Sequence, residues 1–384
     1  MPRSLRVSVE PMVFKWLRES SGWTVEEVAK RLKTSVEVVE GIEAGERQPT
    51  LRQLRELSNA YKRPLASFLL SEPVKEAPLP KDYRMLSDRK DVFDRKTLYQ
   101  IRRARSLQDI GNELSGNIKY STESKIIRAN LEDDPESLAS EYRKILDLTV
   151  ERQCGYRNPY ELFHHLRDRF EDMNIMVFQF SMPVEDARGF ALTDRNPNVI
   201  VINTKDTIEA RLFTLMHEFG HILLGETVID IPDIRTEPQN RIEQWCNAFS
   251  SGFLLPKNVA NEIFSSKKSR LTETKILNSL KNRYKVSKAM LLYNMLKLDF
   301  ITQTEYEDVL DRFKPPIREG EEEGKEQQGG GISQDKRCLS EMGNKFISLV
   351  ANNYDQDLIT YTDALSYLSI KSKNFEKVLV QARK

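Results

Sequence analysis

Apolar residues recur at helical spacing through most of the chain, and strand-like runs are confined to one short central region. Runs of apolar residues at 175–180, 188–192 and 199–202 predict three strands, which we expect to form a small antiparallel sheet. The helical spacing around this region predicts helices at 95–114, 135–148, 159–170, 239–255, 259–264, 273–284 and 287–298. The pattern is that of an α+β protein in which helices predominate.

The first 71 residues predict five short helices. Thr24 and Glu27 form a capping box at the start of the second helix, Ser35 begins the third, and Thr50 begins the fourth. Two short helices joined by a tight turn inside such a set form a helix-turn-helix. The residues A-x-x-L-x-x-S-x-x-x-V-x-x-I-E-x-G-x-R-x-P-T at 29–50 closely resemble the Xre family of Cro-like and phage-repressor-like domains, which implies an all-α helix-turn-helix domain.

This resemblance implies DNA binding, but the charges along the segment are mixed. Residues 1–71 hold twelve lysines and arginines against nine acids, a net charge of only +3. Glu37 and Glu40 lie on the expected recognition helix, where negative charge is unfavourable near phosphates and base edges. The alternative is a module that contacts another protein or that dimerises, and in the second case the protein would be a homodimer. The candidate DNA-binding residues are Thr34, Ser35, Val38, Arg47 and Arg52.

The chemistry of the central region lies in an H-E-x-x-H sequence, on a helix that we expect to start at Asp206. Residues four apart share one face of a helix, so His217 and His221 can bind one metal together. Two imidazoles suit Zn²⁺, and Glu218 can act as general base toward a water on the metal. Because the chain holds four histidines in all, we favour one zinc ion per chain over two core histidines with ordinary hydrogen bonds.

A hydrolytic zinc site needs a third protein ligand and one open position. Glu243 is the natural candidate, because the helix predicted around it has an apolar face that packs in a core. Asn247 lies four residues later on the same face. We predict that its amide orients a ligand histidine without binding the metal itself. From the residues alone, Glu226 and Glu237 remain alternative third ligands.

These residues resemble the ImmA/IrrE family of metallopeptidases. The resemblance is dense over 188–256 and lies in R-x-F-T-L-x-H-E-F-G-H-x-L-L-G, E-x-x-x-N-x-F and L-L-P. It implies a zincin-like fold in which His217, His221 and Glu243 bind the metal and Glu218 is the catalytic base. The sequence departs from the family at Ser251 and Gly252, where an acidic residue is common.

Composition argues against a highly basic nucleic-acid-binding protein, a disulfide-rich protein and a membrane protein. The formal net charge of +1 gives no global field for nucleic acid, so DNA binding requires a local patch. The three cysteines, Cys154, Cys246 and Cys338, lie far apart, which argues against a disulfide framework or a cysteine zinc site. The sequence has neither an apolar signal-like N-terminus nor an uncharged run that could cross a bilayer. We therefore expect a cytoplasmic protein without membrane contact.

Changes in composition divide the chain into three folded parts and two linkers. The first linker is Pro-rich, and the second is charged and Gly-rich. The segments are a helix-turn-helix domain at 1–71, a linker at 72–94, a zincin-like metallopeptidase domain with a small sheet at 95–316, a flexible linker at 317–331, and a helical C-terminal module at 332–384.

The sequence therefore predicts a zinc-dependent endopeptidase fused to a helix-turn-helix module. The ImmA/IrrE resemblance implies that its protein substrate is a transcriptional repressor, whose cleavage switches on a stress or mobile-element programme. A different class stays open: a non-catalytic DNA-binding regulator, such as an antitoxin-like protein of a toxin–antitoxin pair, that uses the zincin fold as a scaffold or sensor. The intact H-E-x-x-H favours the enzyme, because a scaffold has no need of Glu218.

Overall fold

The computed structural model describes residues 5–75, 81–82, 93–225, 228–230, 241–267, 270–312 and 333–382 of the 384-residue chain. They form two compact units, the first made of residues up to 103 other than 81–82, and the second of residues 81–82 and 104 onward. Glu226, Glu237, the flexible linker at 317–331 and most of the Pro-rich linker lie outside the described residues. Across the described ranges, every helix is too short or too polar to span a membrane.

The first unit is a bundle of short helices. Thr24 caps the second helix and Thr50 the fourth, and each accepts an N–H while the side chain of Glu27 or Gln53 reaches back to the cap. The sequence-based expectation of a five-helix unit is therefore confirmed. The elements are α1 (Pro11–Glu19), α2 (Val25–Leu32), α3 (Val36–Glu43), α4 (Leu51–Tyr61), a 3₁₀ turn (Leu65–Leu69) and the first part of α5 (Arg95–Asn117).

A buried ion pair joins α1 to α3. Arg18 Nε lies 2.6 Å from Glu43 Oε1, and Arg18 Nη2 lies 3.0 Å from Glu43 Oε2, the two-pronged geometry of a strong charge-assisted pair. The hydrogen bond that Arg18 donates to Glu43 raises the pKa of Arg18 against the opposing effect of burial. Removal of either partner would leave a desolvated charge, so the pair stabilises the fold. Glu43 is therefore not part of the exposed acidic surface of α3.

The second unit contains the rest of α5, a sheet and twelve further helices among the described residues. The helix start predicted at Asn158 is confirmed, because the side chain of Asn158 accepts a hydrogen bond from the Glu161 N–H. The helices are α6 (Pro135–Ile145), α7 (Val150–Gly155), α8 (Pro159–Asp172), α9 (Ile208–Leu224), α10 (Arg241–Leu254), α11 (Lys257–Ser265), α12 (Thr274–Tyr284), α13 (Lys288–Lys297), α14 (Gln303–Arg312), α15 (Gln334–Asp355), α16 (Tyr361–Leu368) and α17 (Phe375–Ala382).

The sheet is mixed, so the antiparallel sheet expected from sequence is wrong. Its strands are β1 (Lys81–Asp82), β2 (Ile175–Phe180), β3 (Gly189–Leu192), β4 (Asn198–Asn203) and β5 (Val228–Asp230), in the order β1-β5-β3-β4-β2. β3 is antiparallel to β4 and β5, but β4 runs parallel to β2, and β1 runs parallel to β5. The reason is that β3 and β4 form a hairpin whose second strand, and not its first, pairs with β2.

Helix α9 packs against this sheet, with β3 and β4 as its neighbours. It begins at Ile208, where the Thr207 side chain accepts the Ala210 N–H, so the start predicted at Asp206 is early. Gly225 ends α9 in the left-handed conformation with φ of 76°, as glycine does after many helices. The apolar side chains of α9 join the core of the second unit, and they include Leu212, Leu215, Phe219, Ile222 and Leu223.

The C-terminal helices are fixed to α8 by a second buried ion pair. Arg167 Nε lies 3.2 Å from Glu171 Oε1, Arg167 Nη1 donates to the Ser340 carbonyl at 2.7 Å, and the Lys345 N–H donates to Glu171 Oε2 at 2.7 Å. Between these two contacts α15 is kinked at Gly343, with φ of 77° and ψ of 163°. A Cβ at this position would collide with the Glu171 carboxylate and lie 2.7 Å from Arg167 Nη2, so only glycine fits.

We predict that Gly343→Ala destabilises the protein by about 2 kcal/mol or more, since such a backbone conformation costs a non-glycine residue about 1–3 kcal/mol before any clash with the ion pair. Urea unfolding of the full chain measures the change. Gly116→Ala in α5 is the matched control, because an added Cβ there has nothing within 4 Å. The control should leave stability unchanged or raise it by up to about 1 kcal/mol. Equal stability of the two variants would contradict this account of the kink.

Candidate metal centre

Helix α9 places His217, Glu218 and His221 in the interior of the second unit. The two histidines are one helical turn apart, and His217 Nε2 lies 3.1 Å from His221 Nε2. All three side chains have no exposed surface. A helix that is apolar around most of its circumference carries three polar side chains into a core, and each of them needs compensation there.

Helix α10 brings Glu243 to the two histidines. Glu243 Oε2 lies 3.3 Å from His217 Nε2, and Glu243 Oε1 lies 3.3 Å from His221 Nε2, with 1% of the side chain exposed. This close approach of α10 to α9 depends on Gly220, because a Cβ at Gly220 would lie 3.0 Å from Cys246 Sγ and 3.3 Å from Cys246 Cα. The glycine inside the H-E-x-x-H sequence therefore allows Glu243, the third ligand, to come close to the histidine pair.

These three side chains fit a zinc ion. A tetrahedral zinc with bonds of about 2.0–2.1 Å has its ligand atoms about 3.3 Å apart, and the distances of 3.1–3.3 Å among the histidine nitrogens and the Glu243 oxygens match that spacing. One atom from each residue lies within 4.8 Å of the others. Three protein ligands are also the number that leaves a catalytic zinc one open position. The cluster can hold one divalent cation.

The electrostatics favour an ionised Glu243. Burial by itself raises the pKa of this carboxyl, but the hydrogen bonds from His217 and His221 and their charge outweigh burial and lower the pKa far below its usual range. Glu243 is thus an anion inside an apolar core, enclosed by two nitrogen donors. A dication bound at this point would satisfy all three groups at once.

Glu218 lies next to the metal cluster and against the sheet. It follows His217 directly in α9, and its Oε1 is near the backbone of Gly189 in β3, where an added Cβ would lie 3.2 Å away. The same Cβ would lie 2.6 Å from Thr214 Cγ2 and 2.8 Å from the Val201 carbonyl oxygen, so β3 has no room for a side chain here. Gly189 was not identified from the sequence, and only the pairing of β3 with β4 reveals its role.

The side chain beside His221 is also one that the sequence analysis did not identify. Cys246 Sγ lies 3.6 Å from His221 Nδ1, the ring nitrogen that faces away from Glu243. Asn247 is half-buried on the same helix, and among the described residues no hydrogen bond joins it to His217 or His221. A signal for Cys246 was present, because it lies three residues after Glu243, on the adjacent face of the same helix.

The other two histidines lie away from the cluster. His165 Nε2 is 2.8 Å from the Leu146 carbonyl oxygen, and burial lowers the pKa of His165. His164 is exposed on α8. The metal-ligating group found among the described residues contains neither of them.

The candidate DNA-binding residues lie on and around α3. Ser35 is the residue that precedes α3 but makes no capping hydrogen bond with its side chain, and Val38 packs partly into the core of the unit. Thr34 is half-buried, and Arg47 and Arg52 are exposed. Of these candidates, the two cations are therefore available at the surface of the unit, whereas Thr34, Ser35 and Val38 offer only small or apolar side chains.

The outer face of α3 is acidic. Glu37 and Glu40 are both exposed, and a hydrogen bond from Ser35 lowers the pKa of Glu37, which keeps this carboxyl ionised. Glu43 belongs to the ion pair with Arg18 and is not part of this surface. DNA binding through α3 must therefore overcome repulsion between two carboxylates and the phosphates.

Two segments of the chain match known sequence families. Residues 170–296 match the peptidase family described as the IrrE N-terminal-like domain, and this segment includes α9, α10 and the whole metal cluster. Residues 14–68 match the family described as helix-turn-helix. The pair of resemblances suggested by the sequence motifs is therefore confirmed: a segment that matches the helix-turn-helix family precedes a segment that matches the IrrE-like peptidase family. No curated protein matches the chain.

We predict that the purified protein binds about one zinc ion per chain and that His217→Ala and Glu243→Gln each remove most of it. Zinc should also raise the melting temperature of the wild type, because it binds the folded state alone, and chelation should lower it. Elemental analysis and thermal unfolding with and without chelator measure both effects. His164→Ala is the matched control and should retain the metal. Full zinc content in both cluster variants would show that the metal binds elsewhere.

Proposed function

We propose that this protein is a zinc-dependent endopeptidase joined to a DNA-binding helix-turn-helix domain. The observation that carries the proposal is the buried cluster of His217, His221 and Glu243, with Glu218 adjacent on α9. The match of the same segment to an IrrE-like peptidase family supports it. A purely structural cluster would have no use for a fourth polar group as deeply buried as Glu218.

Each residue of the cluster has a role in this proposal. His217, His221 and Glu243 hold the zinc ion, which when bound polarises a peptide carbonyl and makes water acidic enough to attack near neutral pH. Glu218 accepts the proton of the water as its oxygen bonds to the peptide carbon, and then passes that proton to the amine nitrogen as the carbon–nitrogen bond breaks. Cys246 contacts His221 on its outer nitrogen and restricts the orientation of the ring.

The proposed substrate is a transcriptional repressor, and its cleavage would release a stress or mobile-element programme. The support for this choice is the resemblance to ImmA/IrrE proteins together with the helix-turn-helix domain on the same chain. A DNA-binding domain would bring the peptidase to promoters where a repressor is bound, or would place the gene of the protein under its own control. Both arrangements require the chain to contact DNA or a DNA-bound protein.

We predict that Glu218→Gln lowers the rate of cleavage by about 10²–10⁴-fold, the range for loss of a general acid–base group, while zinc binding is retained. Mass spectrometry of new protein N-termini, in cells that express the wild type or the variant, identifies the substrate and measures the loss. Candidate repressors encoded near the gene are then tested with purified, zinc-loaded protein.

Glu209→Gln provides the matched control, because Glu209 is another carboxylate of α9 but is paired with Lys281 at 3.0 Å and does not belong to the metal cluster. It should cleave like the wild type. If Glu218→Gln is as active in cells as the wild type, the activity does not depend on hydrolysis. The non-catalytic regulator, with the zincin fold as scaffold or sensor, would then replace the enzyme.

The exposed acidic face of α3 favours a second function for the first unit, namely contact with another protein. Glu37 and Glu40 suit contact with a basic protein surface, or with a second copy of this chain, better than contact with phosphates. In the DNA-binding alternative, Arg47 and Arg52 neutralise phosphates and the two carboxylates limit the affinity. The two alternatives can be separated by measuring how DNA affinity changes when the negative charge of α3 is removed.

We predict that the full chain binds duplex DNA from its own upstream region and that Arg47→Ala with Arg52→Ala reduces the slope of log affinity against log salt by about two. The double variant Glu37→Gln with Glu40→Gln should bind more tightly, because repulsion is removed. Fluorescence anisotropy over a range of salt concentrations measures both changes. No binding at about 50 mM salt, by the wild type or by the Gln variant, would contradict DNA contact and favour the protein-contact module.

A further inference from the structure

The sheet continues for two strands beyond the one that lies against Glu218. That strand is β3, where an added Cβ at Gly189 would lie 3.2 Å from Glu218 Oε1. β5 pairs with β3 on the side away from β4, and β1 pairs with β5 as the last strand of the sheet, with Lys81 opposite Val228. Neighbouring strands are about 4.8 Å apart, so β1 lies about 10 Å from β3. β1 therefore forms the edge of the sheet on this side.

The metal face of α9 is turned toward this same side of the sheet. His217 and Phe219 precede and follow Glu218, so their side chains leave α9 about 100° to either side of it. The ring centre of Phe219 lies 4.6 Å from that of Phe170 in α8, and α8 packs against β2 at the opposite end of the sheet. His217 therefore points away from β2, to the side on which β5 and β1 extend the sheet.

β1 is an addition to the peptidase segment and not a part of it. The match to the IrrE-like peptidase family covers residues 170–296, which include β2 to β5, α9 and α10, whereas β1 comes from the stretch predicted as a linker. β1 has only two residues, so few backbone hydrogen bonds hold it and it can leave β5 without unfolding of the sheet. Without β1, the outer N–H and C=O groups of β5 would be available to another extended chain.

We propose that β1 occupies the sheet edge that an extended peptide substrate would take, so that the chain competes with its own substrate. The proposal rests on the peptidase function proposed above. Extended peptides add to sheet edges through main-chain hydrogen bonds, and this edge lies on the metal side of α9. A substrate would pair with β5 after β1 has left it. The apparent affinity for substrate is then reduced in proportion to the fraction of molecules whose edge is free.

A disulfide that locks β1 onto β5 tests this placement. Paired residues of neighbouring strands have Cα atoms about 4.8 Å apart, which suits a disulfide, so Lys81→Cys with Val228→Cys should form a bridge on oxidation. Lys81→Cys with Ala191→Cys is the matched control, because Ala191 pairs with Val228 from the other side and lies two strands from Lys81. Both pairs are made in a Cys154→Ser background, since the other two native cysteines are buried. Mass spectrometry of linked peptides should find a bridge in the first pair alone.

A second pair of variants releases β1 instead of locking it. Lys81→Pro with Asp82→Pro weakens the pairing, because proline has no N–H to donate to β5. Lys81→Ala with Asp82→Ala keeps both N–H groups and is the matched control. Melting temperatures close to that of the wild type establish that these variants are folded.

Binding of two hydroxamates to the zinc-loaded full chain measures the effect without any cleavage. Acetyl-trialanine hydroxamate combines a zinc-binding group with an extended backbone, and acetohydroxamate has the zinc-binding group alone. We expect the bridged form to bind the peptide hydroxamate at least about ten-fold more weakly than its reduced form, and the Pro variant to bind it at least about ten-fold more tightly than the Ala variant. Acetohydroxamate should bind all forms alike in titration calorimetry.

Several results would contradict the proposal. The absence of a bridge between positions 81 and 228 would remove β1 from the edge. Equal binding of the peptide hydroxamate by the bridged and reduced forms, or by the Pro and Ala variants, would show that β1 does not compete. Equal loss of both hydroxamates in the bridged form would make β1 a cover over the metal instead of a competitor for the edge. Failure of every form to bind acetohydroxamate would instead refute the zinc peptidase itself, and this proposal with it.

Discussion

The close contact between α9 and α10 is the constraint on which the metal centre depends. It is tight at Gly220, where an added Cβ would lie 3.0 Å from Cys246 Sγ and 3.3 Å from Cys246 Cα. At that separation the carboxylate of Glu243 lies 3.3 Å from a nitrogen of each histidine. A side chain at position 220 would require Cys246 and α10 to shift, which would alter the position of Glu243 without any change in the ligands themselves.

The cluster is an unfavourable arrangement for the fold alone. Two imidazoles, a carboxylate and the neighbouring Glu218 are almost wholly removed from water, and burial of polar and charged groups costs free energy. The two ion pairs elsewhere, Arg18 with Glu43 and Arg167 with Glu171, are compensated by partners of opposite charge and fix helices in place. A dication bound between the two imidazoles and Glu243 would couple metal binding to the stability of this part of the fold.

Much of the fold follows from local patterns, and most of what the sequence left open depends on long-range pairing. Caps such as Thr24 and Asn158 were predicted because a few adjacent residues determine them. The parallel pairing of β2 with β4 was not, although both strands are mainly apolar and every residue in them is buried, a pattern typical of parallel sheets. Gly189 and Cys246 gain their roles only from neighbours distant in the chain.

X-ray absorption at the zinc edge tests the central claim most directly, because it identifies the atoms bound to the metal. The account predicts nitrogen and oxygen ligands at about 2.0–2.2 Å, with two imidazoles and no sulfur. Replacement of Glu243 by Gln should change this ligand set or remove the metal. A sulfur ligand at about 2.3 Å would place the zinc at Cys246, and six oxygen ligands would place it at a surface carboxylate site. Either result would contradict the proposed metal centre.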